Sequence, residues 1–200
     1  MNYKEIFENN RIWAAKKKSA DSEFFKQLSK GQSPEYLIIA CSDSRVPVEI
    51  ITGAEPGEIF VHRNIANIVS KSDPNLMAVI EYAVSILQVK HIVVCGHSNC
   101  GGVHASLNPD KGDPLDPWLN NIRKVKKDNL KELDLIGDDK EKYLRLIELN
   151  TIQQCRNILD LDLVKSSIQS TSLPEVHAWM FDIECGELRD LDLKKSSSIQ

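Results

Sequence analysis

The sequence lacks the features of several specialised classes of protein. No apolar run approaches the length of a membrane-spanning helix, so a membrane is not an expected partner. Basic residues form no long block, and 25 lysines and arginines are outnumbered by 29 aspartates and glutamates, so nucleic acid is not expected either. The first residues lack the apolar stretch of a secretory signal peptide, and we therefore expect a cytoplasmic protein.

Cysteine is also scarce, with five residues in a chain of 200, and the number is odd. Because we expect the thiols to be reduced in the cytoplasm, metal binding is favoured over a framework of disulfides. What is present is an ordinary globular composition, with 42% hydrophobic and 27% charged residues. This length favours one domain with a sizeable core.

Two short segments carry most of the side chains that could perform chemistry. Residues 41–45 (CSDSR) follow the apolar run 36–40, and residues 96–102 (GHSNCGG) follow the apolar run 92–95. Apolar runs of this length rich in β-branched residues predict buried strands. If the two strands are parallel neighbours, two thiols, an imidazole, a carboxylate and a guanidinium meet just past their ends, at one edge of the sheet.

The remaining patterns predict an α/β fold. It has a mainly parallel central sheet with antiparallel edge strands, flanking helices and an N-terminal helical arm. Residues 64–72 are predicted to form a polar loop. Further strands are predicted at 59–62, 176–182 and 188–193, and helices at 3–29, 47–51, 75–88, 101–107, 118–130 and 141–170.

Cys41, His97 and Cys100 have the donor types that zinc prefers. His97 and Cys100 can point inward from one glycine-rich turn, and Cys41 would reach them from the neighbouring strand. Three protein ligands leave one position open, which is typical of a catalytic zinc site. Two thiolates and a neutral imidazole would also balance the charge of Zn²⁺.

Asp43 and Arg45 could control that open position. Asp43 could accept the proton of a zinc-bound water, or it could bind zinc as a fourth ligand and close the site. A bidentate pair with Arg45, at alternate strand-like positions, would hold the carboxylate off the metal. The residues alone leave three alternatives open, namely a catalytic zinc, a closed structural zinc, and no metal with an ordinary loop ion pair.

The other cysteines and histidines are interpreted as structural. Cys95 lies within an apolar run and is predicted to pack in the core, and the other two cysteines have no companions at ligand spacing. The remaining histidines are interpreted in the same way, as surface or core residues, and they are His62, His91, His104 and His177.

Four motifs in order resemble those of the β-class carbonic anhydrases. They occupy residues 41–45 (CSDSR), 55–57 (EPG), 63–67 (RNIAN) and 95–102 (CGHSNCGG). The resemblance implies an α/β fold and the reversible hydration of carbon dioxide to bicarbonate and a proton by a zinc-bound hydroxide. It also implies one zinc ion per chain and self-association to a homodimer or homotetramer.

By matching position, the resemblance implies a role for nine residues. Cys41, His97 and Cys100 match the zinc ligands, and Asp43 and Arg45 match a gating dyad in which Asp43 is the alternative fourth ligand of a closed state. The substrate pocket is implied to contain Gln32, Phe60, Ile65 and Tyr82. Within a single domain of residues 1–200, we expect a helical arm (1–30), a zinc-site core (31–107), and a region of helices and terminal strands (108–200).

The sequence departs from the family at a second, inhibitory bicarbonate pocket that some bacterial members carry. That pocket is lined by a tryptophan, an arginine and a tyrosine. Arg63 matches the arginine, but Ile38 and Phe181 stand where the indole and the phenol would be. We therefore expect this chain to lack strong bicarbonate inhibition through that pocket.

Two other functions compete with this interpretation. One is a hydrolase on the same scaffold that acts on another heteroallene, such as carbon disulfide. The other is a zinc protein without catalytic activity, serving as a binding or redox module, in which Asp43 is a permanent fourth ligand. Activity towards carbon dioxide across pH distinguishes the three.

Overall fold

The structure, a computed structural model, describes residues 2–193 and divides into two compact units at Ser33 and Pro34. The first unit contains helices α1 (Tyr3–Ala20) and α2 (Phe24–Leu28). Asn2 begins α1 with a capping box, since its side chain accepts from two backbone amides and Glu5 reaches back to it. The prediction of continuous helix over 3–29 is wrong at Asp21, where the backbone becomes extended.

The second unit is built on a five-stranded sheet, and this confirms the predicted fold class. Four strands run parallel and the fifth pairs antiparallel at the edge, in the order β2-β1-β3-β4-β5. The strands are β1 (Tyr36–Cys41), β2 (Ile59–Asn64), β3 (His91–His97), β4 (Glu175–Asp182) and β5 (Glu187–Asp190). Because β1 and β3 are parallel neighbours, their carboxyl ends lie side by side, which fulfils the condition for the two motif segments to meet.

Helices pack on both sides of this sheet. They are α3 (Val48–Thr52), α4 (Pro74–Glu81) with a following π-helical turn (Tyr82–Ile86), α5 (Gly101–Ser106), α6 (Asp116–Asp128), α7 (Leu130–Leu133), α8 (Asp139–Leu159) and α9 (Asp162–Thr171). The single helix predicted over 141–170 is wrong, because the chain leaves the helical conformation at Leu161. This break allows Leu161 and Val164 to pack into the same core cluster as α8.

The core follows the alternation of the strands. Leu37 and Ile39 of β1 face one apolar cluster, whereas Ile38 and Ala40 face another on the opposite side of the sheet. All four side chains are at most 1% exposed. The central strand β1 is therefore buried on both faces, as expected for a sheet covered by helices. No helix within residues 2–193 is long and apolar enough to cross a membrane.

Residues 64–72 lie mostly in a loop, as the sequence predicted, but the middle of this segment is buried and largely apolar. The segment contains a 3₁₀ turn (Ile65–Asn67), and residues 66–69, which begin within that turn, are all buried. Polar side chains of α8 satisfy this backbone, since Asn150 Nδ2 donates to the carbonyl of Ala66 and Gln154 Oε1 accepts from the amide of Val69. Buried backbone groups need such partners, so α8 fixes the segment beside the carboxyl ends of β1 and β3.

Candidate metal centre

The structure brings Cys41, His97 and Cys100 together at the carboxyl edge of the sheet. Their donor atoms all lie within 4.8 Å of one another, and each residue is at most 4% exposed. Cys41 ends β1, His97 ends β3, and Cys100 directly precedes α5. The first two therefore belong to the strands themselves, one or two residues beyond the predicted strand ends.

His97 is oriented by the backbone of its own turn. Its Nδ1 lies 2.8 Å from the carbonyl oxygen of Ser98, so Nδ1 carries the proton and donates it. The other ring nitrogen, Nε2, is buried and has no hydrogen-bond partner among the described residues. A buried polar atom without a partner is costly, and a cation bound between Nε2 and the two nearby thiols would remove that cost.

The two thiols have a separation that suits the same cation. Their Sγ atoms lie 3.9 Å apart. Two thiolates bound to one zinc ion at about 2.3 Å in tetrahedral geometry lie about 3.8 Å apart. Their hydrogen bond lowers the pKa of the pair's first deprotonation, at Cys41, because a thiolate on one sulfur accepts the proton that the other sulfur donates. The donor set and its spacing therefore fit zinc.

Asp43 is held beside these donors by Arg45. The guanidinium donates from Nε to Oδ1 at 2.9 Å and from Nη2 to Oδ2 at 2.7 Å, and the Arg45 amide adds a third hydrogen bond to Oδ1. These contacts hold the pKa of Asp43 well below its usual range. Oδ2 nevertheless lies 3.9 Å from His97 Nε2, so the carboxylate adjoins the donor cluster. Both residues lie in a turn after β1, not at strand-like positions.

Three further side chains fix the backbone that carries the donors. Arg63 donates to the carbonyls of Cys41 and Asp43, at 3.0 and 2.6 Å. Arg45 also donates to the carbonyl of Asn99, which joins the two motif segments. Tyr143 donates its hydroxyl to the carbonyl of Cys100 at 2.7 Å. Tyr143 was not predicted from the sequence, because nothing in its spacing along α8 distinguishes it from a packing residue.

Two glycines permit the close packing of these segments. A Cβ atom at position 96 would lie 2.1 Å from Thr151 Oγ1 of α8, and one at position 102 would lie 2.7 Å from a methyl group of Ile65. Neither distance is compatible with an ordinary contact. The backbone therefore approaches its neighbours here more closely than any other residue type permits.

The residues predicted to form the substrate pocket are only partly brought together. The rings of Phe60 and Tyr82 lie 5.8 Å apart, and Ile65 adjoins Gly102. Ile65 and Tyr82 are 41% and 44% exposed, so two of these large side chains lie partly at the surface of the chain. Gln32 belongs to the first unit and is exposed, so its place in the pocket stays a prediction.

The positions of the inhibitory bicarbonate pocket are filled by apolar side chains. Ile38 and Phe181 are 1% and 6% exposed and belong to the same core cluster. Arg63 uses Nε and Nη2 for the two backbone carbonyls of residues 41 and 43. The two neighbouring positions therefore offer no side-chain hydrogen bond to an anion.

Two of the four remaining histidines contact each other, which the sequence did not predict. His91 and His177 lie in direct contact near the starts of β3 and β4, at the opposite edge of the sheet from Cys41. The two residues are 86 positions apart in the sequence, and only the parallel pairing of β3 with β4 joins them. A predicted strand order would have been the one signal able to reveal this pair.

Comparisons with known proteins agree with the geometry. A family model described as carbonic anhydrase matches residues 36–188. A carbonic anhydrase of Emericella nidulans is 54% identical over 189 residues, which cover 94% of this chain and 83% of the relative. Among solved structures, one of two tetrameric β-carbonic anhydrases from Sordaria macrospora superposes with a TM-score of 0.90 at 42% identity, covering 95% of this chain and 96% of that one. A Coccomyxa β-carbonic anhydrase in complex with acetazolamide gives the same TM-score at 33% identity, covering 95% of this chain and 86% of that one.

Proposed function

The chain belongs to the β-class carbonic anhydrases, and from this premise we propose that it hydrates carbon dioxide reversibly to bicarbonate and a proton, using one zinc ion per chain. One observation carries the proposal. Two thiols are buried together with an imidazole nitrogen that has no hydrogen-bond partner within residues 2–193, and a carboxylate held by an arginine lies 3.9 Å from that nitrogen.

Cys41, His97 and Cys100 are the residues that would hold the zinc ion. When bound, zinc supplies a Lewis acid that ionises water near neutral pH. Ser98 keeps the proton of His97 on Nδ1, so Nε2 offers its lone pair. The two thiolates and the neutral imidazole would together cancel the charge of the ion and would supply three of its ligands.

Asp43 would hold and orient the reacting water. The carboxylate accepts a hydrogen bond from water on the side of the cluster nearest to His97, and so turns a lone pair of the water oxygen towards the substrate. Arg45 prevents the carboxylate from occupying that place itself, because two guanidinium hydrogen bonds fix both carboxylate oxygens. Since Arg45 also keeps the pKa of Asp43 low, Asp43 stays an acceptor throughout the neutral pH range.

We propose that Phe60, Ile65 and Tyr82 contribute to the substrate pocket, whereas the place of Gln32 in it stays a prediction. Carbon dioxide is apolar, and apolar side chains exclude bulk water from the reacting atoms. The exposure of Ile65 and Tyr82 in one chain supports a pocket that is completed by a second copy. We therefore include a homodimer or homotetramer in the proposal, as the tetrameric Sordaria relatives suggest.

Two further properties complete the proposal. Ile38 and Phe181 leave Arg63 without polar neighbours for an anion, so strong bicarbonate inhibition through that pocket is not expected. A bicarbonate-soaked crystal with the anion held by Arg63 beside Ile38 would refute this point. All five cysteines are free thiols, which is consistent with a cytoplasmic enzyme.

A stopped-flow assay of carbon dioxide hydration from about pH 6 to 9 tests the proposed function. We expect hydration by the zinc-loaded protein, a loss of rate below about pH 7 to 8, no activity after chelation, and recovery with zinc. Acetazolamide, the ligand of the Coccomyxa structure, should inhibit. Zinc-loaded protein without activity at any pH would support a binding or redox module, and turnover of carbon disulfide alone would support a different hydrolase.

A further inference from the structure

A second group of metal-binding side chains lies at the amino edge of the sheet. His91 Nδ1 is 3.1 Å from His177 Nε2, and Glu175 Oε2 is 4.0 Å from the same Nε2. One donor atom from each residue lies within 4.8 Å of the other two. Because the strands are parallel, this group lies at the end of β3 and β4 opposite to the candidate metal centre.

The strand register explains why the three side chains meet. His91 pairs with Glu175 across the parallel ladder, and His177 lies two residues further along β4. Residues two apart on a strand point to the same face, so Glu175 and His177 both lie beside His91. Tyr36 of β1 stacks on the His91 ring at 4.8 Å and holds its plane. The arrangement is therefore fixed by three adjacent strands and does not depend on a loop.

The distance between the imidazoles suits two bonds to one cation. Metal–nitrogen bonds of about 2.1 Å that end 3.1 Å apart enclose an angle of about 95°. That angle is close to the one between adjacent ligands of octahedral or tetragonal late transition metals. Glu175 is 63% exposed at its side chain, so its carboxylate can move to complete a third bond. Burial and the neighbouring His91 lower the pKa of His177, which favours the neutral form that binds metals.

The surroundings favour a cation and give it access. A cavity of about 800 Å³ opens beside Glu175 and His177, and Asp190 of β5 also lines it. Glu175 and Asp190 both act electrostatically on His177 as anions. The nearby cation of Lys90 forms an ion pair with Glu35, so its charge is compensated. Because the cavity reaches Glu175 and His177, a cation bound there could keep water in its remaining coordination positions.

We propose that His91, His177 and Glu175 form a second metal site, which takes one divalent late transition-metal ion of the Zn²⁺ or Ni²⁺ class. Two imidazoles and one carboxylate favour such ions over Mg²⁺ and Ca²⁺, which prefer oxygen ligands alone. The site links β3 to β4 and is separate from the three residues proposed to hold the catalytic zinc. It does not depend on the proposed function.

Calorimetric titration with Zn²⁺ tests the site in protein that already contains one zinc ion per chain. We expect one further saturable equivalent per chain. His177→Gln should weaken this second binding by more than about tenfold. Removing a residue that only hydrogen-bonds to a metal ligand already costs about tenfold or more in affinity, and removing a ligand itself should cost more. Glu175→Gln should weaken it less, because the exposed carboxylate is the most weakly held donor. His104→Gln is the matched control and should leave the second equivalent unchanged.

Nuclear magnetic resonance of the imidazole nitrogens gives a second test that needs no variant. Added Zn²⁺ should shift the His91 and His177 signals together, and their shifts should saturate at the same single equivalent. Equal second binding by wild type and a folded His177→Gln variant would overturn the site. Uptake of zinc without saturation, or with no shift of these two residues, would also overturn it.

Discussion

The two ends of the parallel strands, the carboxyl edge and the amino edge of the sheet, each carry a cluster of three possible metal ligands, but the two clusters are built differently. At the carboxyl edge, Cys41, His97 and Cys100 are buried, and His97 Nε2 has no partner among the described residues. At the amino edge, His91 and His177 are only partly buried and already form a hydrogen bond with each other. Within residues 2–193, the carboxyl-edge cluster therefore lacks a partner for one nitrogen, whereas the two facing nitrogens of the amino-edge cluster already have one.

The contrast between the two clusters indicates how strongly each edge depends on a metal ion. An unsatisfied buried polar group costs about 1–3 kcal/mol, so the carboxyl edge is completed only when a cation binds Nε2. At the amino edge, His91 Nδ1 and His177 Nε2 are already joined by a hydrogen bond, so a metal there competes with that bond. We therefore expect tight, permanent zinc at the carboxyl edge and weaker, exchangeable metal at the amino edge.

Removal of a ligand at the carboxyl edge should have the largest effect. Cys41→Ser replaces a thiolate with a poor zinc ligand, and we expect loss of the tightly bound zinc and a fall in hydration rate of more than about 10³-fold. Metal analysis after gel filtration and stopped-flow kinetics measure both. Cys95→Ala is the control, because Cys95 is equally buried but faces the opposite cluster of the core. Full zinc content and rate in Cys41→Ser would mean that the assigned ligand is wrong.

Removal of Arg45 tests the pairing of Asp43 with Arg45, which has no counterpart in the amino-edge cluster. Arg45→Ala deletes two hydrogen bonds to Asp43, so the carboxylate is free to turn towards the zinc position. Zinc should remain bound, and kcat should fall by about 100-fold. Arg45→Lys should recover little, because an ammonium cannot form the bidentate pair. An unchanged kcat in Arg45→Ala would contradict the gating role.

The close packing beneath the carboxyl edge should appear as a stability effect. Gly96→Ala places a Cβ atom 2.1 Å from Thr151 Oγ1, so the variant should lose about 1–3 kcal/mol of unfolding free energy. Chemical denaturation of the zinc-loaded protein at one protein concentration measures this loss. Gly101→Ala is the control, since nothing lies within 4 Å of its added Cβ. Equal stability of the two variants would show that α8 does not constrain β3.

The smallest effect compares one tyrosine at each edge. Tyr143→Phe removes the hydroxyl that donates to the Cys100 carbonyl, and the expected loss of stability is about 0.5–1.5 kcal/mol. Tyr36→Phe at the amino edge keeps the ring that stacks on His91, so its loss should be smaller. The same denaturation experiment ranks the two variants. A larger loss for Tyr36→Phe would show that the carboxyl edge is not the more tightly constrained one.

The sequence was sufficient to predict the fold class and the donors of the carboxyl edge. The donors lie in two short segments, and each segment continues an apolar strand, so local patterns and the parallel sheet rule were enough to bring them together. The bidentate contact of Asp43 with Arg45 was also predicted, since the two residues are only two positions apart.

Other features depend on contacts between distant residues and were missed. The polarity of residues 64–72 gave no sign that α8 would bury them, because the partners Asn150 and Gln154 lie more than 80 positions away. The break at Leu161 serves core packing that periodicity does not encode. The contact between His91 and His177 was missed because it too joins residues that are distant in the sequence. The two were interpreted as structural, and only the pairing of β3 with β4 brings them together.

Anomalous diffraction at the zinc edge, from crystals grown at mildly alkaline pH, tests the central claim most directly. The account predicts a strong peak within bonding distance of Cys41 Sγ, His97 Nε2 and Cys100 Sγ, with Asp43 still paired with Arg45 and not bound to the metal. Any peak beside His91 and His177 should be weaker. A peak missing from the carboxyl edge, or Asp43 bound there as a fourth ligand at that pH, would contradict it.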